Sequence, residues 1–143
     1  MTTKLGSLGA AVLLAGTALA AERTLRTLRV GNHSGIRQPE RVVARNQEEW
    51  EALWRRSLPV KDPRARPPRV DWSREMVLGA FLGSKPTGGY SVRIRNVREV
   101  AGKLRVEVEV RRPPRDGFVT QGFTSPFHLV AAPKSTLPVE WTQ

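Results

Sequence analysis

The chain has 143 residues, enough for one domain with a hydrophobic core and too few for two of ordinary size. It contains no cysteine, which excludes disulfide staples and thiolate metal sites, so stability has to come from packing. A formal net charge of +11, from 24 Lys plus Arg against 13 Asp plus Glu, suits an anionic partner, but the basic residues run from Arg23 to Lys134 with acids between them. Scattered charge makes a field rather than a site. No specific nucleic-acid contact is therefore expected, and an envelope or polyanion-binding module with a basic surface stands as the alternative function.

Residues 1–20 have the architecture of an export signal. Lys4 supplies a positive start, residues 5–19 are apolar and Ala-rich, and Ala18-Leu19-Ala20 forms a small-x-small cleavage site. Cleavage is expected near Ala20 or Ala21, which places the mature protein in the periplasm, the cell envelope or the extracellular space. The apolar stretch is short of the roughly 20 residues of a spanning helix. No second such segment follows, so no membrane span is expected after cleavage.

Leu25, Leu28 and Val30 suggest an edge strand with Arg26 and Arg29 facing outward, and residues 31–35 are turn material. Residues 41–45 form a short strand candidate. His33 falls in the loop between them. With His128 it makes up the whole histidine complement, too few ligands for a metal site without carboxylates, so neither a metal nor a cofactor is expected.

The clearest helix starts at Asn46, whose side chain can cap it, with Glu49 three residues on as in a capping box. Trp50, Leu53, Trp54 and Leu58 share one apolar face, Glu51 and Arg55 are spaced to pair on the wet side, and Pro59 ends the helix. Residues 62–70 carry Pro63, Pro67 and Pro68 and read as an extended surface linker. Trp72 is placed to seal the end of the next element.

Residues 76–82 are uncharged and apolar throughout, as in a strand buried on both faces, although periodicity alone also admits a short buried helix. Lys85-Pro86-Thr87-Gly88-Gly89 should break regular structure, because proline fixes φ and two glycines permit positive φ. Tyr90, Val92 and Ile94 then alternate with Ser91, Arg93 and Arg95, the period of a strand with one buried face.

Residues 90–100 and 103–112 form a hairpin turning at Ala101-Gly102. Its register can be tested against the pattern. A two-residue turn sets Val97 opposite Val106 but would place Ile94 opposite Glu109. One extra residue near Asn96 repairs this, pairing Ile94 with Val108, Val92 with Val110, Arg93 with Glu109 and Arg95 with Glu107. A β-bulge is therefore expected around Asn96, the alternative being a longer turn that leaves Val97 exposed. Residues 112–117 make a second proline-rich turn, 118–123 a loop or irregular edge, 126–133 a strand, and 138–141 a short last strand after a turn at Lys134-Ser135. The elements predict an α+β fold, mainly antiparallel β-sheet with one amphipathic helix packed on it, as a single domain over residues 21–143.

No nucleophile motif appears: G-x-S-x-G, S-x-x-K and H-E-x-x-H are all absent. Ser125 and His128 come closest to a dyad, but three residues apart in a strand they face opposite sides. Gly88-Gly89 lacks the second spaced glycine and the Lys-Ser/Thr of a phosphate loop. The turn is then either plain hairpin geometry or a recognition loop, in which Lys85, Thr87 and Tyr90 surround accessible backbone at Gly88 and Gly89.

Three segments carry a family resemblance: Val77-Leu78-Gly79-Ala80-Phe81-Leu82-Gly83, Pro86-Thr87-Gly88-Gly89-Tyr90-Ser91-Val92, and Thr124-Ser125-Pro126-Phe127-His128-Leu129-Val130 with Pro133-Lys134-Ser135. Together they resemble the C-terminal domain of the protease-complex subunit PrcB family, over roughly residues 33–142. The resemblance implies a non-catalytic accessory subunit that binds and stabilises a secreted protease. The chain departs from lipoprotein members in having no cysteine for a lipid anchor. A partner-binding surface is expected at Lys85, Thr87, Gly88, Gly89 and Tyr90, with Lys134 and Ser135 as a second contact.

Overall fold

The structure, a computed structural model, describes residues 23–143; residues 1–20, expected to be an export signal, lie outside the described residues. The elements run β1 (Arg26–Gly31), β2 (Glu40–Ala44), α1 (Gln47–Ser57), β3 (Glu75–Phe81), β4 (Lys85–Thr87), β5 (Ser91–Val100), β6 (Lys103–Arg111), β7 (Gln121–Thr124), β8 (Phe127–Pro133) and β9 (Val139–Thr142). They build a four-stranded antiparallel sheet ordered β1-β8-β3-β2, a three-stranded sheet ordered β5-β6-β9, and a two-stranded ribbon of β4 and β7. The mainly antiparallel α+β architecture read from the sequence is the one observed.

The four-stranded sheet is the middle of three layers. On one face Met76, Leu78 and Ala80 of β3 and Val130 and Ala132 of β8 pack against Val92, Ile94, Val97, Leu104, Val106 and Val108 of the β5–β6 hairpin. On the other, Val77, Phe81, Phe127 and Leu129 pack against Trp50, Leu53 and Trp54 of α1. Two covered faces explain why β3 and β8 read as unbroken apolar runs, although both of β3's ladders are antiparallel. Phe81 stacks on Phe127 at 6.0 Å between ring centroids, and the two tryptophans of α1 meet edge to face at 5.6 Å.

The helix follows its sequence signals with one exception. Asn46 Oδ1 accepts the Glu49 N–H at 2.8 Å, and Glu49 reaches back to the Arg45 N–H, closing the N-terminus. Glu51 accepts from Gln47 at 3.0 Å, so the expected Glu51–Arg55 pair does not form. The proline-rich stretch is tied down where it passes α1. Pro68 O accepts the Trp50 indole N–H, and Trp72 donates to Gln47 while packing on the helix-side core.

The hairpin carries its bulge between Ile94 and Asn96. Ile94 lies opposite Val108, Val92 opposite Val110 and Val97 opposite Val106, as the apolar pattern demands. Arg95 is the extra residue. It therefore has no cross-strand partner of its own, and its Nε donates to Glu109 at 2.7 Å, while Asn96 takes the place opposite Glu107 expected for Arg95.

Two expectations fail for non-local reasons. Leu28 is bulged out of the β1–β8 register, so Val30 is exposed and Arg29 turns inward, its guanidinium lying 5.2 Å from the Trp54 ring centroid. Lys85–Thr87, read as pure turn, pairs with β7, itself part of the stretch read as loop. The short last strand expected at 138–141 forms as β9, which adds in parallel to β6.

Gly79 shows how closely the middle layer is packed. A Cβ there would lie 2.9 Å from side-chain atoms of Leu129, Phe81 and Val42, one from each of three strands. Gly79→Ala is expected to lower unfolding stability by about 1–3 kcal/mol through overpacking, measured by urea denaturation.

Candidate functional site

The segment from Lys85 to Tyr90 is the path by which the chain leaves the middle sheet and enters the hairpin layer. Gly83 starts this change of layer at φ +75°, with the backbone of Arg37, Gln38 and Pro39 2.8 Å from where its Cβ would be. The ribbon then holds the segment from one side. Thr124 Oγ1 donates to Thr87 O at 2.8 Å, the Gly88 N–H donates to Thr120 O at 2.9 Å, and Thr87 Oγ1 donates to Gly88 O at 2.9 Å. Gly89, at φ +88°, lies so close to Pro113 that a Cβ would approach its Cβ to 2.7 Å.

Of the expected contact residues, Lys85 and Tyr90 meet, with the Lys85 ammonium 5.5 Å from the Tyr90 ring centroid. The tyrosine has two roles, because its ring also packs on the hairpin-side core. Thr87 and Gly88 are half-buried and Gly89 is exposed, so the surface offered is mainly backbone and the outer face of Tyr90. Lys134 and Ser135 are placed elsewhere. They follow β8 at the end where Pro133 pairs with Glu75, and the Lys134 N–H donates to Arg74 O, whereas the Lys85 segment leaves β3 beyond Phe81. The two sets flank opposite ends of β3, about 20 Å apart along the strand at its usual rise.

Sequence reasoning missed the residues that support and extend this surface. Pro113 and Thr120 fix the glycines from a distant stretch, and the same stretch carries two exposed rings, Phe118 fully exposed and Phe123 78 % exposed. Only the unusual placing of two phenylalanines in a polar, glycine-containing loop signalled them.

Ser125 and His128 are each committed to separate structural bonds. Ser125 Oγ accepts the Ser34 N–H and donates to Ser34 O, both at 2.8 Å. His128, on the opposite face, crosses between layers: its Nδ1 accepts the Ile94 N–H at 2.8 Å, so Nε2 carries the proton and donates to Thr27 Oγ1 at 2.9 Å. β5 is an edge strand, with N–H groups that have no ladder partner, and the imidazole takes one of them. Burial, together with the charges of Arg93 and Arg95, pushes the His128 pKa down to about 4. No group of His, Asp or Glu that could hold a metal ion occurs among the described residues.

Architecture and geometry thus define a three-layered α+β protein whose best-supported candidate surface is a pinned glycine turn between two sheets. Residues 76–133, from β3 through β8, match the family model described as PrcB C-terminal. The match is narrower than the resemblance read from the sequence and leaves out α1, but it contains the whole Lys85–Tyr90 segment. No curated protein and no solved structure matches the chain.

Two measurements test these assignments. The unfolded chain binds a proton at the ordinary histidine value of 6.5 and the folded chain does so only near 4, so stability should fall as pH drops through that window. Thermal melts between pH 7 and pH 4 should show this slope, and a His128→Phe variant should lose it while being about 1–3 kcal/mol less stable at pH 7, with the Ile94 N–H left without an acceptor. Gly89→Ala should cost about 1–3 kcal/mol in denaturant titrations from positive φ, plus displacement of Pro113. Gly102→Ala, also at positive φ but with nothing within 4 Å of its Cβ, should cost only the first of these.

Proposed function

We propose that this chain is an exported, non-catalytic protein-interaction domain that serves as an accessory, stabilising subunit of a secreted protease. The observation that carries the reading is the PrcB C-terminal match, which runs through the pinned turn and both strands of the ribbon that holds it. A protease-complex subunit family implies a protein partner. A hydrogen-bonded, glycine-built turn with a half-exposed aromatic ring suits such a contact, because little conformational freedom is lost when it is bound. Export rests on the signal-like residues 1–20, and the absence of a nucleophile motif accords with an accessory role.

The polyanion-binding alternative finds less support. Arginines at positions 23, 26, 56, 74, 95, 98, 105 and 111 are engaged with acidic side chains, which disperses rather than concentrates the positive charge.

Co-purification from the native envelope with the full chain as bait is the direct test. A protease or protease-associated protein should be recovered with the unaltered chain and lost, or reduced about tenfold, with Lys85→Ala combined with Thr87→Ala. Tyr90→Ala should also lose it, but its melting temperature has to be compared because the ring packs on the core. Partners captured unchanged by a folded double variant would show that the assigned surface is wrong.

A further inference from the structure

On the other side of the ribbon, where β3 ends and β7 runs into β8, lies a cleft of about 220 Å³ lined by His33, Arg37, Ser84, Phe123, Thr124 and Ser125, among others. No carboxylate lines it. The Arg37 guanidinium, the His33 imidazole and the Ser84 hydroxyl make no hydrogen bond or ion pair with any described residue, in contrast to the eight arginines engaged with acids. The scaffold beneath them is firmly held. The Ser84 N–H donates to Arg37 O at 2.9 Å, the Ser34 N–H donates to Ser125, the Ser125 N–H donates to Asn32 O at 2.7 Å, and Gly83 brings its backbone against that of residues 37–39.

We propose that this cleft binds a carboxylate presented by an extended polypeptide. Arg37 can grip both oxygens of one planar carboxylate through its guanidinium fork, and the His33 ring and the Ser84 hydroxyl can each add one donor. Thr124 adds none, because its hydroxyl proton is already given to Thr87 O. One guanidinium fork with two single donors matches a planar, two-oxygen group better than a phosphate, whose three oxygens and higher charge call for a cluster of arginines or lysines. The source is a peptide because Phe123 stands exposed at the rim, where it can cover the apolar residue next to the carboxylate. That choice of source rests on the protein-binding reading above; the carboxylate chemistry does not.

The test is amide-shift NMR on the labelled, folded chain titrated with four probes: a short neutral peptide with a free C-terminal carboxylate, its C-terminal amide, that amide with one internal glutamate, and inorganic phosphate. Amides of Ser34, Arg37 and Ser84 should move with the free acid, with the glutamate peptide, or with both, which distinguishes a terminal from a side-chain carboxylate. Arg37→Ala should weaken that binding about tenfold, and Arg37→Lys should restore only part of it, since an ammonium keeps the charge without the fork. Equal binding of the neutral amide, tighter binding of phosphate, no binding of either acid, or an affinity unchanged in Arg37→Ala would each overturn the proposal. The two readings fail separately. A chain that binds the acidic peptides but captures no partner keeps the cleft and refutes the accessory role, and partner capture unaffected by Arg37→Ala without acidic-peptide binding does the reverse.

Discussion

Burial of β3 and β8 on both faces is the constraint from which the rest of the architecture follows. A strand with Val77, Leu78, Ala80 and Phe81 in succession has no face that water can cover, so each side needs its own apolar layer. The helix supplies one through two indoles and Leu53, and the hairpin supplies the other through a row of valines. At Gly79 three side chains from three strands occupy the space that a Cβ would take. Pro68 and Trp72, outside any strand, are drawn against the helix because the layer it forms would otherwise end short of the sheet.

A three-layer arrangement obliges the chain to change layers, and the candidate surface lies where it does so. Between β3 and β5 the backbone must leave one sheet, turn, and enter another, and the only residues available are those from Leu82 to Tyr90. Glycines at positive φ make the change of direction possible, and the β4–β7 pairing holds it in one conformation. The same crossing leaves a gap on its far side, between the ribbon and the loop that carries His33 and Arg37. Both surfaces are therefore by-products of one topological need. His128 adds a direct tie between the layers, joining β1 and β5 through the two nitrogens of one ring.

What was legible in the sequence was whatever a local period or a pairing rule could encode. The helix declared itself through Asn46, Glu49 and the spacing of Trp50, Leu53 and Trp54, and the hairpin bulge followed from requiring Ile94 and Val97 to be buried together. Hidden were features decided by residues far apart. Arg29 faces inward because Trp54 and Phe127 offer it ring faces, β4 is a strand because β7 lies beside it, and the tie made by His128 links positions 94 and 27. For the site, the glycines and Tyr90 stood out by type. Their support from Pro113 and Thr120, the separation of Lys134 from Lys85, and the grouping of His33 with Arg37 and Ser84 depended on topology that no spacing rule contains.

The parallel docking of β9 on β6 governs the order in which the molecule can assemble. β6 can pair with β5 as soon as Arg111 is available, because their turn is two residues long, but its other edge waits for Val139–Thr142. The middle sheet waits as well: β8 must reach β1 across 101 residues, measured from Thr27 to His128, before β3 can be flanked on that side. Loops of that length have to close before the contacts that reward them can form, which slows folding relative to a chain of local contacts. The hairpin is the one part that can form early and alone, and an amphipathic ribbon without its partner layers is marginal in water. A chain built this way cannot close its layers until nearly all of it has emerged, because the strand that completes the middle sheet and the one that completes the hairpin layer both lie near its end.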